Sequence, residues 1–492
     1  MEVVIATSDE STDPWGSSKD NQKSEMKLER WAVVTALIGS QSVTANYLPA
    51  DDATNTINSL KQRIEELDWK VRILEGDSNH EKQSVDLEVR TAPKMTFGER
   101  GFSLGSADGN FAINLRGVLQ LDSRTFFKDG GIKGNDGFLL RRARPIIEGT
   151  VFQDFDFVFV PDFGGSTVQI FDAYLNYRYN PALQVQLGKF KSPIGLEQLQ
   201  ADTNLPFNER SLATDLVPNR DLGVELHGEL FDGAVSYGAG VFNGIGDARN
   251  SNNADFENDK DFAGRLFLQP LKRSESPALR GLGLGIGGGF GDSSTVNALP
   301  ATTGGTTPGY VTDGQQQFFA YRNTAAANGR RWRISPQGSY FYGPCGLLGE
   351  YAVSSQHVQT NALNTAPLRT TAWQITASWV LTGEDASFKG VSPARAFDPS
   401  IGHWGAIQLV ARYAQLNIDP AAFPMFADST ASARSADAWS IGVDWSLNRS
   451  VRLMTSFSRT TFSGGGGTGT TAPAIITRQP ENVLFTRVQL AF

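Results

Sequence analysis

The sequence predicts an all-β fold: a 16-stranded antiparallel transmembrane β-barrel with a short N-terminal coiled-coil helix. Residues 101–492 repeat segments of about ten residues in which apolar side chains alternate with polar or small ones. Short turns and long loops alternate between these segments, as they do in barrels of the outer membrane. The 492-residue chain has no run of apolar residues of the length that a transmembrane helix requires.

Composition excludes several other classes of protein. Charged residues make up 20% of the chain and hydrophobic residues 40%, which argues against wholesale disorder. The single cysteine, Cys345, excludes an internal disulfide framework. Four separated histidines argue against a histidine-built metal site: His80, His227, His357 and His403. The formal charge of −8 argues against nucleic-acid binding, and no cofactor is expected.

The first 45 residues are interpreted as an over-extended gene start followed by a signal peptide. Residues 26–30 are charged, residues 31–39 are mostly apolar, and Val43 and Ala45 suit cleavage before Asn46. Residues 1–25 would precede the true start. The alternative interpretation is a buried helix of a globular domain.

Residues 46–100 are predicted to form a periplasmic coiled coil and a linker. Apolar residues alternate at spacings of three and four along residues 57–74, namely Ile57, Leu60, Ile64, Leu67, Val71 and Leu74. Polar residues 76–94 are interpreted as the linker. A single amphipathic helix that packs on its own domain is the alternative.

Sixteen strands are predicted in the barrel. They cover 110–127, 138–153, 155–163, 168–180, 182–191, 219–230, 233–243, 261–270, 278–291, 331–342, 345–355, 371–382, 404–417, 436–447, 450–462 and 482–492. The expected long loops are 192–218, 292–330, 383–403, 418–435 and 463–481. The last segment alternates up to Phe492 and resembles the C-terminal strand by which outer-membrane proteins are recognised for assembly. A soluble all-β repeat protein is the alternative.

Strand alternation places ten arginines on the inner face of this barrel. They are Arg116, Arg142, Arg144, Arg178, Arg265, Arg331, Arg333, Arg412, Arg452 and Arg487. Arg141 would point outward unless a bulge or a subunit interface accommodates it. Any membrane barrel directs arginine inward, and acids such as Asp172, Glu225 and Asp444 are expected to pair with some of them. The preference for arginine over lysine favours phosphate, because guanidinium matches phosphate oxygens.

Five stretches resemble the phosphate-selective porin O and P family. They are residues 138–144, 187–197, 207–212 with 217–224, 380–384, and 402–406 with 411–413, in that order. The resemblance implies a homotrimer in the bacterial outer membrane, a third loop at 192–218 folded into each pore, and single-file anion transport. Arg141 and Arg142 match the family's basic pair, Lys189 and Lys191 the positions that enter the loop, and Arg210 the basic residue on it.

The predicted function is passive, anion-selective diffusion of phosphate, pyrophosphate or polyphosphate through an arginine-lined pore, without enzymatic activity. The predicted anion-binding residues are Arg116, Arg141, Arg142, Arg144, Arg178, Lys189, Lys191, Arg210, Arg265 and Arg412. The main alternative is a general-diffusion porin with weak ion selectivity, in which acids in the lumen neutralise these cations. An outer-membrane enzyme and a structural tether are further alternatives.

Overall fold

A computed structural model describes residues 50–98, 101–127, 134–165, 167–251, 253, 258–294, 309–361, 364–466 and 477–492. The expected signal peptide and gene start at 1–45 lie outside these residues. The chain divides into two compact units, residues 1–91 and 92–492. Among the described residues, no helix is both long enough and apolar enough to cross a membrane.

The second unit is a closed antiparallel barrel, which confirms the predicted fold and its sixteen strands. A short hairpin of β1 (Lys94–Gly98) and β2 (Gly101–Gly105) comes first. The barrel strands are β3 Phe111–Phe126, β4 Gly137–Val151, β5 Phe155–Asp162, β6 Gln169–Asn180, β7 Leu183–Lys191, β8 Arg220–Leu230, β9 Val235–Phe242, β10 Asp261–Leu268, β11 Leu282–Ser293, β14 Ala325–Tyr342, β15 Cys345–Thr360, β16 Thr365–Val380, β17 Ala406–Asn417, β18 Ala433–Ser446, β19 Val451–Gly464 and β20 Glu481–Ala491.

Strand β20 closes the barrel by pairing with β3, from Val483 opposite Phe126 to Ala491 opposite Val118. The part of β3 before Val118 pairs with β2 instead, with Phe102 opposite Leu115. Strand β2 of the hairpin therefore lies on the same side of β3 as β20 and extends the sheet beyond the end of β20. The sequence prediction missed this hairpin, because five-residue strands give too short a pattern. The compact unit that contains the hairpin and the barrel begins at residue 92.

The alternation of side chains follows the prediction along most strands. On β3, Leu115, Leu119 and Leu121 are exposed on the outer face, whereas Gln120 and Asp122 are buried inside. An apolar outer face and a polar inner face are what a barrel in lipid requires, because charged groups on the lipid face are destabilising.

One long connection lies at the end opposite to the one expected. Residues 381–405 link β16 to β17 at the end that carries the short turns 181–182 and 343–344. Short turns mark the periplasmic end of such barrels, so the 381–405 segment is a long periplasmic connection. The length of this connection could be predicted from the sequence. Its position at the periplasmic end follows only from counting the strands of the complete barrel, because successive connections alternate between the two ends.

Residues 192–219, here called loop 3, fold into the barrel as predicted. The loop contains a short helix, α2 (Leu196–Leu199), and a 3-10 turn (Leu212–Leu216), neither of which was predicted from the sequence. Small side chains make room for it: a Cβ atom on Gly287 of β11 would lie 2.2 Å from the Ile194 carbonyl oxygen. Loop 3 therefore fits only because this wall lacks bulk.

A two-stranded element lies in the connection from β11 to β14, residues 294–324, here called loop 5. It comprises β12 (Tyr310–Val311) and β13 (Gln317–Phe319). Tyr310, Phe318 and Phe319 are buried and join the core that contains Leu212 and Leu216 of loop 3. The lumen therefore holds a hydrophobic core of its own.

In the first unit, helix α1 covers Ala50–Thr91, 42 residues. The predicted heptads at 57–74 lie within it, but residues 76–91 are helical, so the expected linker at 76–94 is corrected to a continuation of the helix. Gly76 does not interrupt the helix, since a single glycine costs only about 1 kcal/mol there. The apolar side chains of the heptads are exposed, with Leu60 54% and Leu67 59% accessible.

Candidate functional site: the ion-pair zone of loop 3

A β-bulge on β4 directs Arg141 into the lumen. Arg142 lies opposite Gln120 and Leu140 lies opposite Leu121, so Arg141 is an extra residue in the ladder. Bulges re-aim side chains in this way. The parity problem noted for Arg141 in the sequence is thus solved by a bulge.

A second bulge lies two strands away, on β6. Val160 faces Asp172 and Pro161 faces Ile170, which leaves Phe171 as the extra residue. The guanidinium carbon of Arg144 lies 3.8 Å from the centre of the Phe171 ring, and that of Arg220 lies 4.0 Å from it. Phe171 therefore connects two cations of the wall through cation–π contacts.

The carboxylate of Glu209 in loop 3 contacts three arginines of the barrel wall. Its carboxylate accepts hydrogen bonds from Arg141 Nε at 2.6 Å and Arg141 Nη2 at 3.0 Å. Arg124 lies at 3.4 Å and Arg487 at 3.5 Å from Glu209 Oε1. Burial opposes ionisation of Glu209, but the nearby guanidiniums of Arg141 and Arg142 outweigh it and hold its pKa well below the usual range.

The carboxylate of Asp202 in loop 3 contacts a second set of three arginines. Arg142 Nε lies 3.4 Å and Arg210 Nη1 lies 2.6 Å from its carboxylate, and Arg144 also pairs with it. Arg144 Nε makes a further pair with Asp162 at 2.6 Å. Burial opposes the charge of Asp202, but these arginines hold its pKa well below the usual range.

Arg210, which was expected to hang into the pore, is turned toward its own loop. Besides Asp202, its guanidinium donates to the carbonyl oxygens of Glu197 at 3.2 Å and Gln200 at 2.8 Å. Lys191 Nζ also donates to the Gln200 carbonyl oxygen, at 2.8 Å. Both cations therefore stabilise the turn that follows α2.

Glu197 fixes the beginning of loop 3 to β17. Arg412 Nη1 donates to Glu197 Oε1 at 3.1 Å, and Arg412 Nη2 donates to Asp313 of loop 5 at 2.9 Å. The Glu197 carboxylate also accepts from the Ser211 backbone at 2.9 Å. One arginine thus joins loop 3, loop 5 and the wall.

The other four predicted site residues lie outside this zone. Arg116 pairs with Glu148 at 3.1 Å, and Arg178 pairs with Asp156 at 3.0 Å, both toward the periplasmic end. Arg265 donates to Gln337 at 2.8 Å on another part of the wall. Lys189 donates to the Ser251 carbonyl oxygen at 2.6 Å, in the connection 243–260.

The remaining inward arginines are buried and paired as well. Arg331 lies 2.9 Å from Asp261, and Arg333 lies 2.7 Å from Asp247. Arg452 pairs with Asp444, as anticipated, and Arg487 Nε lies 2.6 Å from Asp122. The anticipated acid Asp172 pairs with Arg220 at 3.1 Å.

Charge in the connected ion pairs of Asp202 and Glu209 does not cancel. Six arginines share four carboxylates there, which leaves an excess of two positive charges. The arginines are Arg124, Arg141, Arg142, Arg144, Arg210 and Arg487, and the acids are Asp122, Asp162, Asp202 and Glu209. A fixed positive excess in a partly desolvated lumen attracts anions.

Sequence reasoning missed the acids of loop 3. Between residues 192 and 219 the chain has Glu197, Asp202, Glu209 and Asp215 against the single base Arg210, a net charge of −3. That imbalance was readable and would have predicted attachment of the loop to a cationic wall. Phe171 gave no such signal, since its position depends on a bulge.

The family profile described as phosphate-selective porin O and P matches residues 112–491. The chain belongs to this porin family. That match covers the whole closed barrel, so the protein is an outer-membrane porin, a channel rather than an enzyme. The family expected from the sequence is confirmed.

Several solved structures are similar to the barrel. An anion-selective porin from Comamonas acidovorans is 14% identical, with TM-score 0.47, and covers 78% of this chain and 100% of its own. The channel DcaP of Acinetobacter baumannii is 11% identical, with TM-score 0.48 and coverages of 78% and 98%. OmpT of Vibrio cholerae in trimer form is 11% identical, with TM-score 0.46 and coverages of 78% and 99%. No curated protein sequence matches the chain.

Proposed function

We propose that this porin is anion-selective and favours phosphate, pyrophosphate or polyphosphate. The observation that carries the proposal is the excess of two positive charges in the connected ion pairs of Asp202 and Glu209. Guanidinium groups present paired donors that suit phosphate oxygens. Because each of these arginines is partly satisfied by a carboxylate, an anion meets several moderate sites instead of one deep trap.

The ten predicted anion-binding residues divide into two groups under this proposal. Six act in the zone around loop 3 or at its anchor: Arg141, Arg142, Arg144, Lys191, Arg210 and Arg412. The other four, Arg116, Arg178, Lys189 and Arg265, set the potential along the rest of the path. The first group apart from Arg412 should affect selectivity more strongly, because the arginines paired with Asp202 and Glu209 outnumber the carboxylates they share.

The second candidate is a general-diffusion porin with weak ion selectivity. It is favoured by the pairing of Arg116, Arg178 and Arg412 with carboxylates, since paired charges contribute little net field.

Planar-bilayer recordings of the purified full chain discriminate between the two. A phosphate-selective pore gives an anion-selective reversal potential in a KCl gradient and a chloride current blocked by millimolar phosphate. Arg142→Gln should reduce both effects severalfold. Arg280→Gln, on the exposed periplasmic connection 269–281, is the matched control and should leave them unchanged. Weak selectivity without phosphate block would establish the general pore.

We further propose that the protein is a homotrimer whose α1 helices associate in the periplasm. The apolar heptad residues of a single chain are exposed, with Ile57 54% and Ile64 64% accessible, and association would bury them. Light scattering of the detergent-solubilised full chain should give three copies. Leu60→Asp with Leu67→Asp should lower the temperature at which the trimer dissociates, whereas Lys61→Gln, on another face of the helix, should not.

A further inference from the structure

The outer face of strands β14 to β18 has features that the lumen does not explain. The six tryptophans of the barrel unit all lie on these strands or on the 381–405 segment: Trp332, Trp373, Trp379, Trp404, Trp439 and Trp445. Trp373 and Trp379 point outward on β16 six residues apart, about 20 Å along the strand. Aromatic side chains gather at both interfaces of a membrane barrel, so these two levels mark the membrane on this wall.

Arg369 lies on the same outer face, four residues beyond Trp373 toward the extracellular end. Its guanidinium carbon is 5.6 Å from the centre of the Trp332 ring. Ser355 lies between the two in the ladder, opposite both Trp332 and Arg369, and is only 6% exposed. The arginine–tryptophan pair therefore covers a polar side chain and holds an exposed cation above the aromatic level.

Arg330 lies next to this pair, in an irregular stretch of β14. The ladder to β15 skips from Ala327 opposite Val358 to Arg331 opposite Gln356. Arg330 and the neighbouring His357 of β15 are exposed there. The register places Asp292 of β11 opposite Arg330, yet no ion pair forms between these two residues.

Arg459 is a third outward arginine, on β19 directly opposite Trp439. Its guanidinium donates to Asn482 at 3.1 Å. Trp439 in turn packs against Phe457, with ring centres 5.5 Å apart. Arg459 therefore lies beside an aromatic pair on the outer face.

These arginines contrast with the cations of the lumen. Within the described ranges, none of the guanidinium groups of Arg330, Arg369 and Arg459 forms an ion pair, although the Arg369 backbone N–H donates to Asp419 at 2.7 Å. The inward arginines of β14 and β17 are paired. A charge on the outer face is costly at the midplane and tolerated near the interface. Outward guanidinium groups without an ion pair, next to interfacial tryptophans, match the phosphates of an anionic lipid headgroup.

We propose that Arg330, Arg369 and Arg459, with Trp332 and Trp439, bind the phosphorylated saccharolipid headgroups of the outer leaflet. The acyl chains would lie on the apolar face between the two aromatic levels, where Ile375 and Ile441 are 43% and 55% exposed. The guanidiniums would bind the headgroup phosphates. This lipid site is separate from the anion path, because its side chains are on the opposite face of the strands.

The test is native mass spectrometry of the full chain titrated with purified lipid A. Wild type should retain lipid A, and the triple variant Arg330→Gln, Arg369→Gln, Arg459→Gln should bind it at least tenfold more weakly. The matched control is Lys272→Gln, Arg273→Gln, Arg280→Gln, three exposed cations on the periplasmic connection 269–281. It should bind lipid A as wild type does.

Two further measurements distinguish binding of the lipid headgroup from binding of other ligands. Dephosphorylated lipid A should bind as weakly to wild type as lipid A binds to the triple variant. Equal binding of the phosphorylated and dephosphorylated lipids would overturn the proposal, and so would an unchanged affinity of the triple variant. If inorganic phosphate alone at millimolar concentration displaced lipid A, the site would be an ion site and the lipid assignment wrong. Unchanged channel selectivity of the triple variant would show that it folds and that its pore is intact.

Discussion

Loop 3 touches two walls of the barrel in chemically different ways. Toward β3, β4 and β20 it is attached by charge: Asp202 and Glu209 gather arginines there. Toward β15, β16 and β17 it packs mainly by apolar contact, with Leu212 and Leu216 in one buried core with inward residues of those strands, and the ion pair of Glu197 with Arg412 adds one charged contact there. The apolar wall holds the loop in place, and this leaves the charged wall free to carry an excess of cations.

The apolar attachment should dominate the stability of the loop. Leu212 and Leu216 are at most 1% exposed, and each leucine-to-alanine change in a core costs about 2–5 kcal/mol. The double variant Leu212→Ala, Leu216→Ala should therefore loosen loop 3 and raise single-channel conductance severalfold. Leu187→Ala, on the outer face and 55% exposed, is the matched control. Unchanged conductance in the double variant would locate the anchor elsewhere.

The charged attachment should govern selectivity. Glu209→Gln removes one of four carboxylates and leaves Arg141 without its counter-charge, which costs about 3–5 kcal/mol for a buried pair. We expect a more positive zone, a reversal potential shifted further toward anions, and a lower unfolding temperature. Glu148→Gln, which affects the pair with Arg116 alone, should change both much less. A cation-ward shift in Glu209→Gln would contradict the charge balance described here.

Phe171 should have a smaller effect, since cation–π contacts contribute about 0.5–2 kcal/mol. Phe171→Leu frees Arg144 and Arg220 from the shared ring and should reduce phosphate block about two- to fivefold with little change in conductance. Phe171→Tyr keeps an aromatic ring and should behave like wild type. If both variants behaved identically, the ring itself would have no part in placing the two guanidiniums.

The smallest expected effect is that of lowering the pH. Asp202 and Glu209 have pKa values held below the usual range. For such groups the stabilisation is complete above the unfolded pKa of about 4 and is lost only as pH falls through the lower folded value. The selectivity difference between wild type and Glu209→Gln should therefore persist from pH 7 to pH 4 in bilayer recordings. Convergence of the two proteins as the pH falls from 5 to 4 would show that Glu209 titrates in the ordinary range of a glutamate.

The sequence predicted the strands well and the contacts of the site poorly. Alternation along a strand such as β20 is a local pattern, so the inward position of Arg487 could be read from neighbouring residues. The partner of that arginine, Asp122, is 365 positions away, and only closure of the barrel brings them together. The direction of Arg141 was not decided by alternation because one extra residue interrupts the ladder.

The connection 381–405 shows the same limit. Its length was predicted, but its contact with loop 3, in which the Gln200 side chain donates to the Phe388 carbonyl oxygen at 2.8 Å, involves residues 188 positions apart. No pattern among neighbouring residues of the sequence predicts a contact between residues so far apart. The helix boundary failed for another reason: polar residues 76–91 lack an apolar stripe, although they are helical.

The two bulges have a genetic consequence. Removing Arg141 would leave Arg142 facing inward and Leu140 facing outward, a regular alternation, and removing Phe171 would do the same for Asp172 and Ile170. Each bulged residue is therefore one extra residue in its strand, and the residues on either side of it point inward or outward as they would without it. A single inserted or deleted codon could add or subtract a pore side chain here, while substitutions elsewhere alter the chemistry of positions that already exist.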